Sequence, residues 1–205
     1  MTLRIAAALA LLLGVGGLLA YLHLVGKGPF ASLEERHLRD RKDRSEAPPR
    51  VVPVTFADFH ALPHGLPVAE YSAIERRGVA LEGYVQFLLT ASDGDYHLEI
   101  ANAPPGTPGY DASYVTGEIT PSWSRSSSRW RFESLLAALR PDRGGATPWD
   151  GGPVRARFSG WLLYDGPYDA PASPRHARLT GWEIHPVTKI EVWNDRLAEF
   201  VELAR

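Results

Sequence analysis

Two histidines and a scatter of carboxylates are the residues of this chain best equipped for chemistry. His97 lies two residues after Asp95 in the stretch Asp93-Gly94-Asp95-Tyr96-His97-Leu98-Glu99. His185 lies two residues after Glu183 in Trp182-Glu183-Ile184-His185-Pro186. Residues i and i+2 of a strand share a face, so Glu183 and His185 point the same way. Two imidazoles with one or more of Asp95, Glu99, Glu118 and Glu183 make a donor set for zinc or another divalent metal. An imidazole is also the natural proton carrier near neutral pH. The expected metal ligands are His97, His185, Asp95 and Glu183, and a metal-dependent hydrolase is one function they would serve. No residue is assigned a catalytic role. The chain holds no Gly-rich phosphate loop, GxSxG elbow, HExxH helix or EF-hand loop. It has no cysteine, which removes disulfides, thiolate zinc sites and cysteine nucleophiles together.

A second chemistry is recognition. Tyr84, Gln86, His97, Glu99, Glu118, Arg157, Trp161 and His185 form a candidate ligand face. Within it Tyr84, Arg157 and Trp161, joined by Trp123, offer a stacking platform for bases or sugars. Ser124 to Arg129 reads as a flexible basic loop.

The elements that must position these residues follow from periodicity. Gly78 to Leu89 alternates Val79, Leu81, Val85 and Phe87 against Ala80, Glu82, Tyr84 and Gln86, which predicts a half-buried strand. Ser92-Asp93-Gly94-Asp95 predicts a hairpin turn. Strands follow over 96–101 and 114–120. Trp130, Leu135, Leu136 and Leu139 fall at helical spacing. Further strands are expected over 154–164 and 179–192, the last bent near Pro186, and a closing helix over 195–204 with Asn194 as its N-cap. Three strands, a helix and two strands in this order resemble the OB-fold over about residues 76–193. That resemblance implies a mainly β architecture, a five-stranded barrel whose outer face on its second and third strands binds ligand. The segment Trp182-Glu183-Ile184-His185-Pro186-Val187-Thr188 resembles one found in poorly characterised exported or membrane-anchored bacterial proteins with OB-like domains, and implies no established activity.

The ends of the chain differ in character. Ile5 to Gly26 carries no charged residue, and at 1.5 Å per helical residue it would span roughly 33 Å, the thickness of a hydrocarbon core. Residues 1–27 are therefore expected to be an uncleaved transmembrane signal anchor, 28–50 a charged spacer and 51–205 the OB-like domain. A cleaved segment would instead make the domain a secreted one. Residues 1–50 carry a net charge of +3 and residues 51–205 of -5. The basic residues after the apolar run favour a cytoplasmic domain under the positive-inside rule, but they lie far from the apolar end and are diluted by acids. The expectation is a single-pass cell-membrane protein with an extracytoplasmic domain. The acidic balance disfavours nucleic acid as a partner and leaves a protein or another envelope component. The function read from these features is a membrane-anchored, envelope-facing binding module, with the metal-dependent hydrolase using His97 and His185 as the alternative.

Overall fold

The structure is a computed structural model that describes residues 14–20, 32–111, 113–142, 152–169 and 177–204. The chain divides into two compact units, residues 1–40 and 41–205. In the first, residues 14–20 are helical, and the rest of the apolar run 5–26 lies outside the described residues. Among the described residues no helix is long and apolar enough to cross a membrane. Helix α1 runs from Leu33 to Lys42.

The second unit is mostly β with some helices. Its seven strands form one mixed sheet: β1 (Val51–Val54), β2 (Gly78–Thr90), β3 (Tyr96–Ala101), β4 (Tyr114–Ile119), β5 (Arg155–Tyr164), β6 (Arg178–Asn194) and β7 (Glu199–Glu202). Five of them close a ring in the order β2-β3-β4-β6-β5, because β2 pairs with β5 as well as with β3. The β4–β6 pair is parallel and the other ring pairs are antiparallel. Short helices α2 (Phe56–His60) and α3 (Val68–Ile74) precede the ring. Between β4 and β5 come the single turn α4 (Pro121–Ser124) and then α5 (Phe132–Leu139).

The ring forms where the alternation puts apolar side chains on one side. Leu81, Val85, Leu98, Ile100, Val115, Ile119, Phe158, Leu162, Ile184 and Ile190 are all buried in one core, joined by Leu135, Leu136 and Leu139 of α5. The turn before β3 forms as the Asp-Gly pair predicts. Gly94 takes a φ of +92°, and Asp93 accepts from the backbone N–H of Asp95 at 3.2 Å. Where Gly160 meets β6, a Cβ would overlap the Pro186 carbonyl, and the β5–β6 register shifts there.

Four expectations change. The alternation in β2 breaks at a bulge at Gln86, so Leu88 takes the inward place expected of Phe87. The expected helix over 195–204 is a hairpin. Asn194 accepts from the backbone N–H groups of Arg196 and Leu197, the chain reverses through Ala198 at φ +52°, and β7 pairs back onto β6. An Asx turn and a helix N-cap begin with the same hydrogen bond, and here the strand face decides between them. Phe200 of β7 packs edge-on against Trp193 and lies under the Arg155 and Arg157 guanidinium groups. A third change is β1, which the sequence pattern did not mark and which lies parallel to β2 from Val51–Gly78 to Val54–Leu81.

The fourth concerns the spacer, whose last part belongs to the second unit. Lys42 Nζ lies 3.1 Å from Asp165, and Arg41 faces Glu75 at 3.8 Å. The carbonyls of Arg44 and Glu46 accept from the indole N–H groups of Trp123 and Trp161 at 2.9 and 2.8 Å. Residues 41–46 thus lie as a strap over the ring.

Candidate functional site

The turn before β3 sets Asp95 at the head of that strand, and β3 pairs with β4 so that His97 stands opposite Glu118. β4 in turn pairs with β6, with Thr116 against Glu183. Register alone therefore gathers Asp95, His97, Glu118, Glu183 and His185, on the side of the strands turned away from Leu98, Gly117 and Ile184. This side was expected to be open to ligand, but most of it is covered. Asp95, Glu118, Glu183 and His185 are buried, and only His97, 27% exposed, reaches solvent.

His185 is the centre of the group. Its Nδ1 lies 3.0 Å from Glu183 Oε1 in a hydrogen bond and 2.9 Å from Glu118 Oε2. Its Nε2 lies 3.6 Å from Asp95 Oδ2 and has no hydrogen-bond partner among the described residues. The other Glu118 oxygen lies 3.2 Å from His97 Nε2, so one carboxylate bridges both imidazoles. Donor atoms of Asp95, Glu118 and His185 all fall within 4.8 Å of one another. Behind them Arg178 holds Glu183 at 2.9 Å and donates to Thr116 Oγ1 at 2.6 Å.

The electrostatics follow from burial and neighbours. Burial pushes the Asp95 carboxyl up to about 6, against the opposing pull of His185. Burial would also raise Glu118, but the contact and charge of His185, with His97 and Lys42, outweigh it and hold Glu118 at about 2. Burial would lower His185, yet Glu118 and Glu183 raise it to about 9. Asp165 is raised by burial and by Glu183, with Lys42 opposing.

The expected metal ligands His185 and Asp95 thus converge. Glu183 instead supports His185 from behind, and His97 touches Glu118. Glu118, expected only on the ligand face, takes the central carboxylate position. Glu99 shares its strand with His97 but turns to Tyr114, whose hydroxyl is raised to about 12 by burial and by Glu99. The remaining candidates lie apart from this group, and Gln86, Arg157 and Trp161 are engaged elsewhere. Gln86 accepts from the Tyr110 hydroxyl at 2.8 Å, and Tyr84 lies in register with Arg155 where β2 pairs with β5. Arg157 is held by Glu82 at 2.7 Å. Trp161 donates to Glu46 and carries the Arg44 guanidinium 4.8 Å above its ring, and Trp123 is buried. The indoles expected to stack ligands therefore hold the strap instead. Arg178, Lys42 and Asp165 were missed because they act through strand pairing and a covering segment far away in sequence. The one legible trace was an arginine at the start of the strand that also carries Glu183 and His185.

No family model and no curated protein matches this chain. Among solved structures it has a likeness to Entamoeba histolytica asparaginyl-tRNA synthetase, at 14% identity and a TM-score of 0.37. The match covers 70% of this chain and 24% of the synthetase, so the chain spans about a quarter of that protein's length.

Proposed function

We propose that the five-strand ring is an OB-type barrel and that the domain is a binding module whose ligand is a divalent metal ion held by Asp95, Glu118 and His185. The ring order, with α5 between the third and fourth ring strands, supports the barrel reading. One observation carries the metal reading: the fully buried His185 turns toward Asp95 an Nε2 that has no hydrogen-bond partner among the described residues, while Glu183 accepts from its Nδ1. A metal-ligating histidine is held in this way, with a carboxylate on the far nitrogen, and the ion would displace the proton that the raised pKa of about 9 keeps on Nε2 at neutral pH. One imidazole and two carboxylates suit zinc, manganese or cobalt.

The test is metal analysis of the full chain in detergent, equilibrated with zinc or manganese. About one equivalent is expected in the wild type and almost none in Asp95→Asn, which removes the charge of one proposed ligand. Bound metal should also raise stability, by about 2.7 kcal/mol at a hundredfold excess over Kd. Equal, near-zero metal in both proteins with every ion tried would sink the reading. Residues 5–26 are proposed to anchor the domain at the cell membrane with residues 51–205 on the extracytoplasmic side, facing an envelope partner. Cleavage of those residues by protease added to intact cells checks the side.

A metal-dependent hydrolase is the second reading. The position of His97 favours it, since this partly exposed imidazole touches Glu118 and stands between the buried donors and solvent. The ion would supply Lewis acidity, and His97 would move a proton. Metal-dependent turnover that survived His97→Ala unchanged would remove this role.

A further inference from the structure

A separate feature lies where β1 and α2 lean on the start of β2. They enclose an open-mouthed cavity of about 690 Å³, within the roughly 300–1,000 Å³ of small-molecule pockets. Its walls include Val54, Phe59, Leu62 and Leu162, all apolar, and the exposed Val52 extends them to the mouth. Arg50, Arg76 and Arg77 also line it. Strand register explains their meeting: Val51 pairs with Gly78, which sets Arg50 beside Arg77.

The charge here runs against that of the domain. Residues 41–205, the unit that carries all three, have a net charge of -3, yet three exposed guanidinium groups meet at one cavity. None of the three has an ion pair or a side-chain hydrogen bond among the described residues. The one carboxylate among the described residues that line the cavity, Asp58, is already committed. It accepts from the Thr55 backbone N–H and hydroxyl, both at 2.7 Å, in the cap of α2. An apolar chamber with an unneutralised cationic rim is complementary to a molecule with an aliphatic body and an anionic head.

We infer that this cavity binds an acyl carboxylate, its chain against Val52, Val54 and Leu62, which are backed by the buried Phe59 and Leu162, and its head on Arg50, Arg76 and Arg77. Guanidinium groups suit the head because they pair with carboxylate through two parallel hydrogen bonds. Aliphatic walls reward chain length, by about fourfold in affinity for each methylene buried. The site shares no residue with the Asp95–Glu118–His185 group.

The experiment is titration of the full chain in nanodiscs of zwitterionic lipid, with empty nanodiscs as the blank. The probes are octanoate, decanoate and dodecanoate, with dodecanol as the uncharged control. Affinity should rise about fourfold per methylene along the series, and dodecanol should bind at least tenfold more weakly than dodecanoate. The double variant Arg76→Gln/Arg77→Gln changes exposed residues only. It should lose about tenfold or more in dodecanoate affinity and keep the chain-length slope. Val52→Asp, also exposed, should weaken every carboxylate of the series. Absence of saturable binding would overturn the proposal. So would equal affinity for dodecanol and dodecanoate, or an unchanged dodecanoate affinity in the double arginine variant.

Discussion

Asp169 shows how single side chains hold the loop after β5 in place. Burial would raise its carboxyl, but the Gly181 backbone N–H at 2.8 Å, His64 at 2.9 Å and the Tyr164 hydroxyl at 3.0 Å hold it below the usual aspartate range. A carboxyl whose folded pKa is depressed contributes stability above its unfolded value of 3.8, and that stability is lost as pH falls through the lower folded value. Asp169→Asn is expected to cost about 1.5–3 kcal/mol at pH 7. It should also flatten the decline below about pH 4, as read by urea denaturation at pH 3, 4 and 7. At this scale the sequence was partly legible. The two-residue spacing of Glu183 and His185 predicted a shared face, and the two side chains touch. The central place of Glu118 was not legible, because it depends on which residue of β3 stands opposite which residue of β4. Register of that kind is a property of two strands at once, and no local pattern encodes it.

Elements were legible where their periodicity ran unbroken. β3, β4, β5, α5 and the body of β6 begin and end within about two residues of the pattern. The departures occur where one residue changes the rule. The bulge at Gln86 moves Phe87 outward, and no alternation pattern anticipates an inserted residue. The C-terminal segment reads as a helix by its apolar spacing, yet it pairs as β7 because Phe200 gains Trp193 and two arginines as neighbours. That hairpin leaves a mark that can be tested. Ala198 holds a φ of +52°, a region in which an L residue is strained and glycine is not. Ala198→Gly is expected to stabilise the protein by about 0.5–1 kcal/mol, and the bulkier Ala198→Val to destabilise it, both by chemical denaturation.

Closure of the ring is a property of the whole molecule. Neighbouring strands such as β2 and β3 meet through a short turn, but β2 and β5 meet only after some 70 residues of chain have folded between them. A ring held by such pairings folds slowly compared with a helical protein of equal stability. Gly160 sits at a critical joint of this closure, where β5 passes against the carbonyl of Pro186. Gly160→Ala is expected to cost about 3 kcal/mol or more, since the backbone must part to admit the methyl group. Thermal unfolding of the variant would check this, and an unchanged midpoint would show that the joint can yield. The order of the five ring strands and of α5 was visible in the sequence. The pairing of first and fourth ring strands was visible only through the resemblance those elements carried.

The strap over residues 41–46 has a consequence for how this protein can be handled and how it would bear load. Its carbonyls are acceptors for two indoles, and its cations face Glu75 and Asp165. A soluble fragment started at residue 51 would strip both acceptors and both cations from the ring, so a fragment meant to preserve the fold should begin no later than Arg41. If the apolar run upstream is fixed in a bilayer, tension on the domain reaches the ring through these contacts before it reaches any strand. Those contacts would be the first in the domain to carry the load.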